Sequence, residues 1–218
     1  MLAKQITDFR HGRVPRDVRL RQLLTLAEEL FAERGYSAAS MDELARRAGV
    51  SKPVIYDLVG NKEQLFRACM GRIADDLAAR VQEAVLGAPD REARLRAGAL
   101  AWFTFVAEHR AAWAALLAGA DTPVSDGVAD VRRRQGQLVA DLIEADLRSR
   151  GEAAPRPVLD AIAALLNGAF ESLAVWWEDN PAVDAESLAD LFTRITLPGL
   201  QSLAVDPPAG WPTERTPS

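Results

Sequence analysis

Apolar residues recur along this chain at the i, i+3, i+4 spacing of one helix face, and no strand-like alternation interrupts them. The first such stretch, Asp17 to Arg34, aligns Leu20, Leu23, Leu24, Ala27, Leu30 and Phe31, and Gly35 supplies its stop. Leu95 to Leu117 is densely apolar and aromatic, with Trp102, Phe103, Phe105, Val106, Trp113 and Leu116. Val131 to Leu147 is more charged, as for a helix with one face in solvent. Two further helices, Val158 to Trp177 and Ser187 to Leu203, carry apolar stripes wider than one monomer needs. Breaks are expected at Gly87 to Asp90, around His109, at Gly119 to Pro123, at Gly151 to Pro157 and at Asn180 to Val183. Pro198 and Gly199 should kink or end the last helix, and the Pro-rich tail, with Trp211, reads as disordered. The predicted fold class is all-α.

Between the first helix and the rest lies a segment with unusually explicit punctuation, Ser40 to Phe66. Ser40 followed by Glu43 has the form of a capping box, in which hydroxyl and carboxylate each satisfy an orphan backbone N–H. A helix therefore starts at Met41 and ends at Gly49, the residue type that adopts the left-handed conformation most readily. Ser51 is placed to cap a second helix, Lys52 to Val59, in which Pro53 is tolerated because first-turn N–H groups lack helical partners. Gly60 stops it, and Asn61 with Gln64 forms a second box opening a longer helix from Lys62 to about Val85. Two short helices, a tight turn and a third helix make a helix-turn-helix. Ile55 and Val59, four apart, pack inward and leave Lys52, Pro53, Val54, Tyr56 and Asp57 for another surface. Lys52 puts a cation at the positive end of the helix and Asp57 an anion near its negative end; each is unfavourable by about 0.3–1 kcal/mol unless something offsets it. A DNA phosphate or base edge would do so for Lys52; solvated surface charges on a short helix are the plainer alternative.

Composition adjusts this picture in two ways. The 218 residues, 49% hydrophobic, can bury a substantial core. Without a run of about 18 apolar residues or a signal-like N-terminus, nothing in the sequence calls for export or a membrane span, so a cytoplasmic protein is expected. The single Cys69 reads as a small core residue, and His11 and His109 are too few for a metal cluster, so no cofactor is expected. A net charge of −5 argues against nucleic acid until its distribution is considered. Up to Phe66 the chain holds 11 Lys/Arg against 9 Asp/Glu, leaving −7 for the remainder. Six of those basic residues, Lys4, Arg10, Arg13, Arg16, Arg19 and Arg21, face only Asp8 and Asp17 in a leading arm suited to a phosphate backbone.

The block AGVSKPVIY…NKEQLF and its preceding helix closely resemble the DNA-binding domain of the TetR family of bacterial transcriptional regulators. The resemblance covers about the first third of the chain. It implies a three-helix DNA-binding domain over 1–66, a helical effector-binding and dimerisation domain over 67–205, and a tail over 206–218. It further implies a homodimer on a palindromic double-stranded DNA operator, most simply a repressor released by a small apolar or aromatic effector. An activator, or a helical small-molecule-binding protein without an operator, is the alternative. On this likeness Ser40, Ser51, Lys52, Pro53, Val54, Tyr56, Asp57 and Lys62 fall at DNA-contacting positions. Tyr56 can donate its phenol to a phosphate, Lys62 adds charge to a helix N-terminus, and Pro53 and Val54 can touch a thymine methyl. The sequence departs from the family at Val54, Asp57 and Leu58, where Thr, an aromatic or polar residue, and His are common. For Asp57 an intramolecular partner, Lys62 or an Arg, is expected rather than a base.

Effector-lining candidates are Trp102, Phe105, Trp113, Phe170 and Trp176. The expected dimer interface comprises Leu159, Ile162, Leu166, Phe170, Leu173, Leu188, Leu191, Phe192 and Ile195. Most such stripes are simply packing. An enzyme would have only Glu108, His109 and Glu171 as acid/base candidates, with no nucleophile or phosphate-binding glycine loop beside them, and His109 reads as a cap at a helix break. A third possibility is a helical adaptor whose motif no longer binds DNA.

Overall fold

A computed structural model describes residues 14–110 and 125–202, and all the regular structure among them is helical. Eight helices occur there: α1 Arg16–Ala38, α2 Met41–Ala48, α3 Lys52–Val59, α4 Lys62–Leu86, α5 Arg91–Glu108, α6 Ser125–Ser149, α7 Arg156–Glu178 and α8 Ala185–Ser202. The expected break at Gly119 to Pro123, Trp113, the tail and most of the leading arm lie outside the described residues. Two compact units form, one through Ile73 and one holding Ala74–His109 and the chain from Asp130 onward.

In the first unit the local signals act largely as read. Gly35, at φ 70 and ψ 168, breaks the helical path of α1, and the chain recovers one further turn to Ala38. Gly49 closes α2 in the left-handed region, its N–H donating to Ala45 and Arg46 carbonyls. Between α3 and α4 only Gly60 and Asn61 intervene, and the box there is complete: Gln64 N–H donates to Asn61 Oδ1 at 2.8 Å and Asn61 N–H to Gln64 Oε1 at 2.9 Å. Leu23, Ala27, Leu44, Ile55, Leu65 and Phe66 are buried where α1, α2 and α3 pack on one another and on the start of α4. Phe31, Tyr36 and Phe66 add a ring cluster, with Phe66 edge-on to both at 5.1 Å. Cys69 is a buried core thiol, as expected, and burial pushes its ionisation far upward.

Two capping expectations need correction. Ser40 Oγ does accept from Glu43 N–H at 3.1 Å, but the Glu43 carboxylate is taken by Arg46 and Arg47 rather than returned to the backbone. Charge-assisted bonds to two guanidinium groups on the same helix outweigh one neutral N–H. Ser51 makes no side-chain cap. The second residue of α3 is Pro53, which has no N–H, and the third, Val54, donates to Ser51's own carbonyl at 3.1 Å, so the hydroxyl has no donor to receive.

Glu43 also carries a pH prediction. Bonds from Arg46 and then Arg47 hold its carboxyl down at about 2, below the ordinary 4.5. The stabilisation is therefore present above 4.5 and lost as pH falls through about 2. Urea midpoints should place the wild-type chain above Glu43→Gln at neutral pH, and the gap should close through that acid window; a constant gap would show that the charge is not the cause.

In the second unit α5 and α8 pack along each other. Phe170 of α7 stacks on Trp102 at 4.9 Å and on Phe192 at 4.1 Å, while Phe103 meets Trp177 edge-on at 6.0 Å. Ala140 and Leu147 of α6 bury against Leu159 and Ala163 of α7. By length and composition α7 could cross a membrane, but Leu159, Ala163, Leu166, Phe170, Ala174 and Trp177 make it a core helix. Helix α8 does not end at Pro198: it continues to Ser202. A proline inside a helix removes one backbone bond and kinks more often than it stops a helix whose other residues are packed.

Candidate nucleic-acid interface and cavity

Helix α3 presents the surface that the sequence selects. Ile55 is fully buried, while Ser51, Lys52, Pro53, Val54, Tyr56 and Asp57 are exposed; Val59 and Leu58 are half-buried. Tyr56 is half exposed and makes no ring contact among the described residues. Ser40 is exposed at the start of α2, its oxygen occupied by the cap to Glu43.

Each charged residue near this face already has a partner. Lys52 pairs with Asp42 in the first turn of α2, which answers the cost of a cation at a helix N-terminus without DNA. Asp57 is held by Arg16, the first residue of α1: Nη1 donates to its Oδ2 at 2.8 Å and Nη2 to its carbonyl oxygen at 3.1 Å. The expected intramolecular pairing of Asp57 is thus with an arginine. Lys62 points elsewhere, donating to the Ser37 carbonyl at 3.1 Å with its ammonium 4.6 Å above the Tyr36 ring. Partial burial lowers its affinity for the proton. The roles of Arg16, Asp42 and Tyr36 are invisible to a reading of α3 alone, because all three come from neighbouring elements; the misplaced charges on α3 were the one signal that partners had to exist.

The second unit contains a cavity of about 300 Å³. Leu77, Val81, Leu95, Leu142, Trp102 and Phe170 contribute apolar walls, and one side carries Arg91, Arg94 and Asp146. These charges are mutually engaged: Arg91 and Arg94 approach Asp146 at 3.5 and 3.4 Å, and Arg91 donates to the Leu200 carbonyl at 2.6 Å. Of the aromatic candidates, Trp102 and Phe170 line this cavity; Phe105 is buried outside its lining, and Trp176 is surface-exposed.

The stripes on α7 and α8 divide into two sets. Leu159, Leu166, Phe170, Leu188 and Phe192 are buried in the unit's own core, and Ile162 and Leu173 are half-buried. Leu191 and Ile195 remain exposed, together with Leu165 and Val175, which the sequence does not single out, and with Trp176, which was expected at the effector site rather than on this surface. Leu165 and Trp176 are 11 residues apart, three helical turns, and so share a face of α7. The acid/base candidates are each occupied: Glu108 by Arg80 at 2.6 Å, Glu171 by a two-point bond from Arg132 at 2.9 and 3.0 Å, and His109, the cap of α5, by donating Nδ1–H to the Phe105 carbonyl at 2.9 Å.

Comparison with known proteins places this geometry. Residues 23–69 match the model of bacterial regulatory proteins of the tetR family, and residues 91–197 that of the tetracyclin repressor-like C-terminal domain. The chain is 35% identical over 193 residues to the HTH-type transcriptional activator FasR of Mycolicibacterium smegmatis, covering 88% of this chain and 87% of that protein. It is 24% identical over 184 residues to the HTH-type transcriptional repressor KstR2 of the same organism, covering 82% and 89%. A TetR-like transcriptional regulator from Rhodococcus sp. RHA1 superimposes with a TM-score of 0.63 at 29% identity, covering 87% of this chain and 99% of that one.

Proposed function

The chain belongs to the TetR family of bacterial regulatory proteins, and from that membership we propose that it is a ligand-responsive regulator that binds a palindromic operator as a homodimer in the bacterial cytoplasm. The observation that carries the reading is α3, whose Pro53, Val54 and Tyr56 stand exposed on a helix otherwise anchored by buried Ile55. A face of this kind suits thymine methyl groups and phosphates of one major groove. Exposed Leu165 and Trp176 on α7 and Leu191 and Ile195 on α8 support pairing of these helices with a second copy, since large apolar side chains left in water are costly. In such a dimer the two α3 helices must lie about 34–36 Å apart to reach successive major grooves.

The cavity supports a small, mainly apolar or aromatic effector: its walls are mostly hydrocarbon, and its two arginines share Asp146 on one side. Helix α4 carries Leu77, Val81 and Val85 at the cavity and Leu65, Phe66 and Cys69 in the core of the first unit. An effector that shifts α4 would change the spacing of the recognition helices, and release of DNA follows from a splay of a few ångströms. Repression by occupancy of a promoter is the simplest output. Activation is the second reading, favoured by the 35% identity to a relative named as an activator.

Footprinting of DNA upstream of the chain's own gene should give a two-fold symmetric protected site whose affinity falls steeply with salt. Protection without symmetry overturns the dimer. Tyr56→Ala should weaken that binding about tenfold without lowering the melting temperature, as loss of one phosphate contact from an exposed side chain does. Transcription from the protected promoter with purified polymerase then separates the outputs, falling on addition of a repressor and rising with an activator.

A further inference from the structure

The exposed face of α3 is electrically self-neutralised: Lys52 is matched by Asp42 and Asp57 by Arg16. Neither pair is buried, with side-chain exposures of 67% for Arg16 and 72% for Asp57, so both stand on the surface that would meet a duplex. An unpaired carboxylate beside Tyr56 would be repelled by phosphates, and its presence there needs a reason. Arg16 supplies one. A guanidinium has five N–H donors, and Arg16 spends two on Asp57, one on the carboxylate and one on the main-chain carbonyl. Its Nε–H and one N–H on each terminal nitrogen remain for another acceptor. The fork is planar and rigid, so fixing one edge on Asp57 fixes where the other edge points. Arg16 also opens α1 directly after Pro15, and the sequence ahead of it carries Lys4, Arg10 and Arg13.

We propose that Arg16 is a DNA-contacting residue that binds a backbone phosphate beside the recognition helix, and that Asp57 is its positioning residue rather than a reader of bases. The assignment rests on the operator-binding reading above. It explains why α3 can carry an acid on its DNA-facing side: the carboxylate acts through the arginine it holds. It also adds a phosphate contact from the first residue of α1, beyond the helix-turn-helix itself.

Duplexes enriched by the wild-type chain from a random pool provide the probe, and fluorescence anisotropy across a salt series provides the measurement. Arg16→Ala should weaken binding about tenfold and lower the salt slope by about 1, the signature of one lost phosphate contact, while the sequence preference stays unchanged. Asp57→Ala should also weaken binding, although it removes a negative charge from a surface facing a polyanion. In the Arg16→Ala background the same Asp57→Ala change should instead strengthen binding, because the carboxylate is then unpaired. Arg16→Lys, which keeps the charge without the fork, should fall between. Melting curves identify any variant that has lost its fold. An Arg16→Ala protein with wild-type affinity and salt slope overturns the proposal, as does an Asp57→Asn protein that changes the enriched base at one half-site position. Failure of the wild-type chain to enrich any duplex overturns the operator reading itself.

Discussion

Phe66→Ala is expected to destabilise the first unit by about 3–5 kcal/mol, the cost of removing a large aromatic side chain from a packed core. Phe66 is fully buried and is the ring against which both Phe31 and Tyr36 stand edge-on at 5.1 Å, so its removal leaves a hole with two unsupported walls. The effect should be functional as well as thermodynamic. Lys62 sits over the Tyr36 ring and donates to the neighbouring Ser37 carbonyl, so loosening Tyr36 disturbs the first turn of α4. Total stabilities of natural domains are only about 5–15 kcal/mol, so a loss of this size should populate unfolded first units under ordinary conditions. Urea denaturation followed by circular dichroism measures the first effect and anisotropy on the enriched duplex the second. Phe66→Leu, which retains most of the volume, should recover much of both; a Phe66→Ala chain of undiminished stability would show that the ring cluster is not the keystone of the unit.

Filling the cavity is the second large effect. Leu142 is a half-buried wall residue of α6, and Leu142→Trp would project an indole into the 300 Å³ space. Because the space is hollow, the overpacking cost should be at the low end of about 1–3 kcal/mol, while an effector of comparable size is excluded. A compound first identified by its thermal shift on the wild-type chain should lose about 10²-fold or more in affinity, equivalent to about 2.7 kcal/mol. The variant should still bind operator DNA and should no longer release it on addition of that compound. Release at wild-type concentrations would place the effector elsewhere.

What could be read from the sequence follows the range of the interactions concerned. Ser40, Gly49, Gly60, Asn61 and Gln64 act within three or four residues of themselves, so their caps and stops are written locally. Ser51 has the same outward form but fails because Pro53 withholds the donor it needs, a detail that was also local and could have been foreseen. Arg16 and Asp57 are 41 residues apart and Lys62 and Ser37 are 25 apart; only the packing of α1 on α3 and α4 brings them together. The cavity was legible as a preference for apolar aromatic residues but not as a set, since Trp102 and Phe170 line it while Phe105 and Trp176, equally aromatic, do not. A helical stripe gives the face that is buried and leaves open what it is buried against. For the same reason Leu191 and Ile195 remain exposed while their neighbours Leu188 and Phe192 are part of the core.

The two residues between α3 and α4 leave the recognition helix no play. Gly60, at φ 70, has its N–H bonded to the Tyr56 carbonyl, and a Cβ there would collide with the Gln64 side chain that closes the box on Asn61. A joint with both of its backbone N–H groups bonded behaves as a knuckle rather than a tether. If α3 reads DNA as proposed, it would not reorient by itself to suit an imperfect half-site; it would go where the first turn of α4 goes. On the proposed function, the same stiffness that would let a small displacement of α4 matter would also make the chain intolerant of operators with altered half-site spacing, so that one short joint would set both selectivity for spacing and sensitivity to an effector.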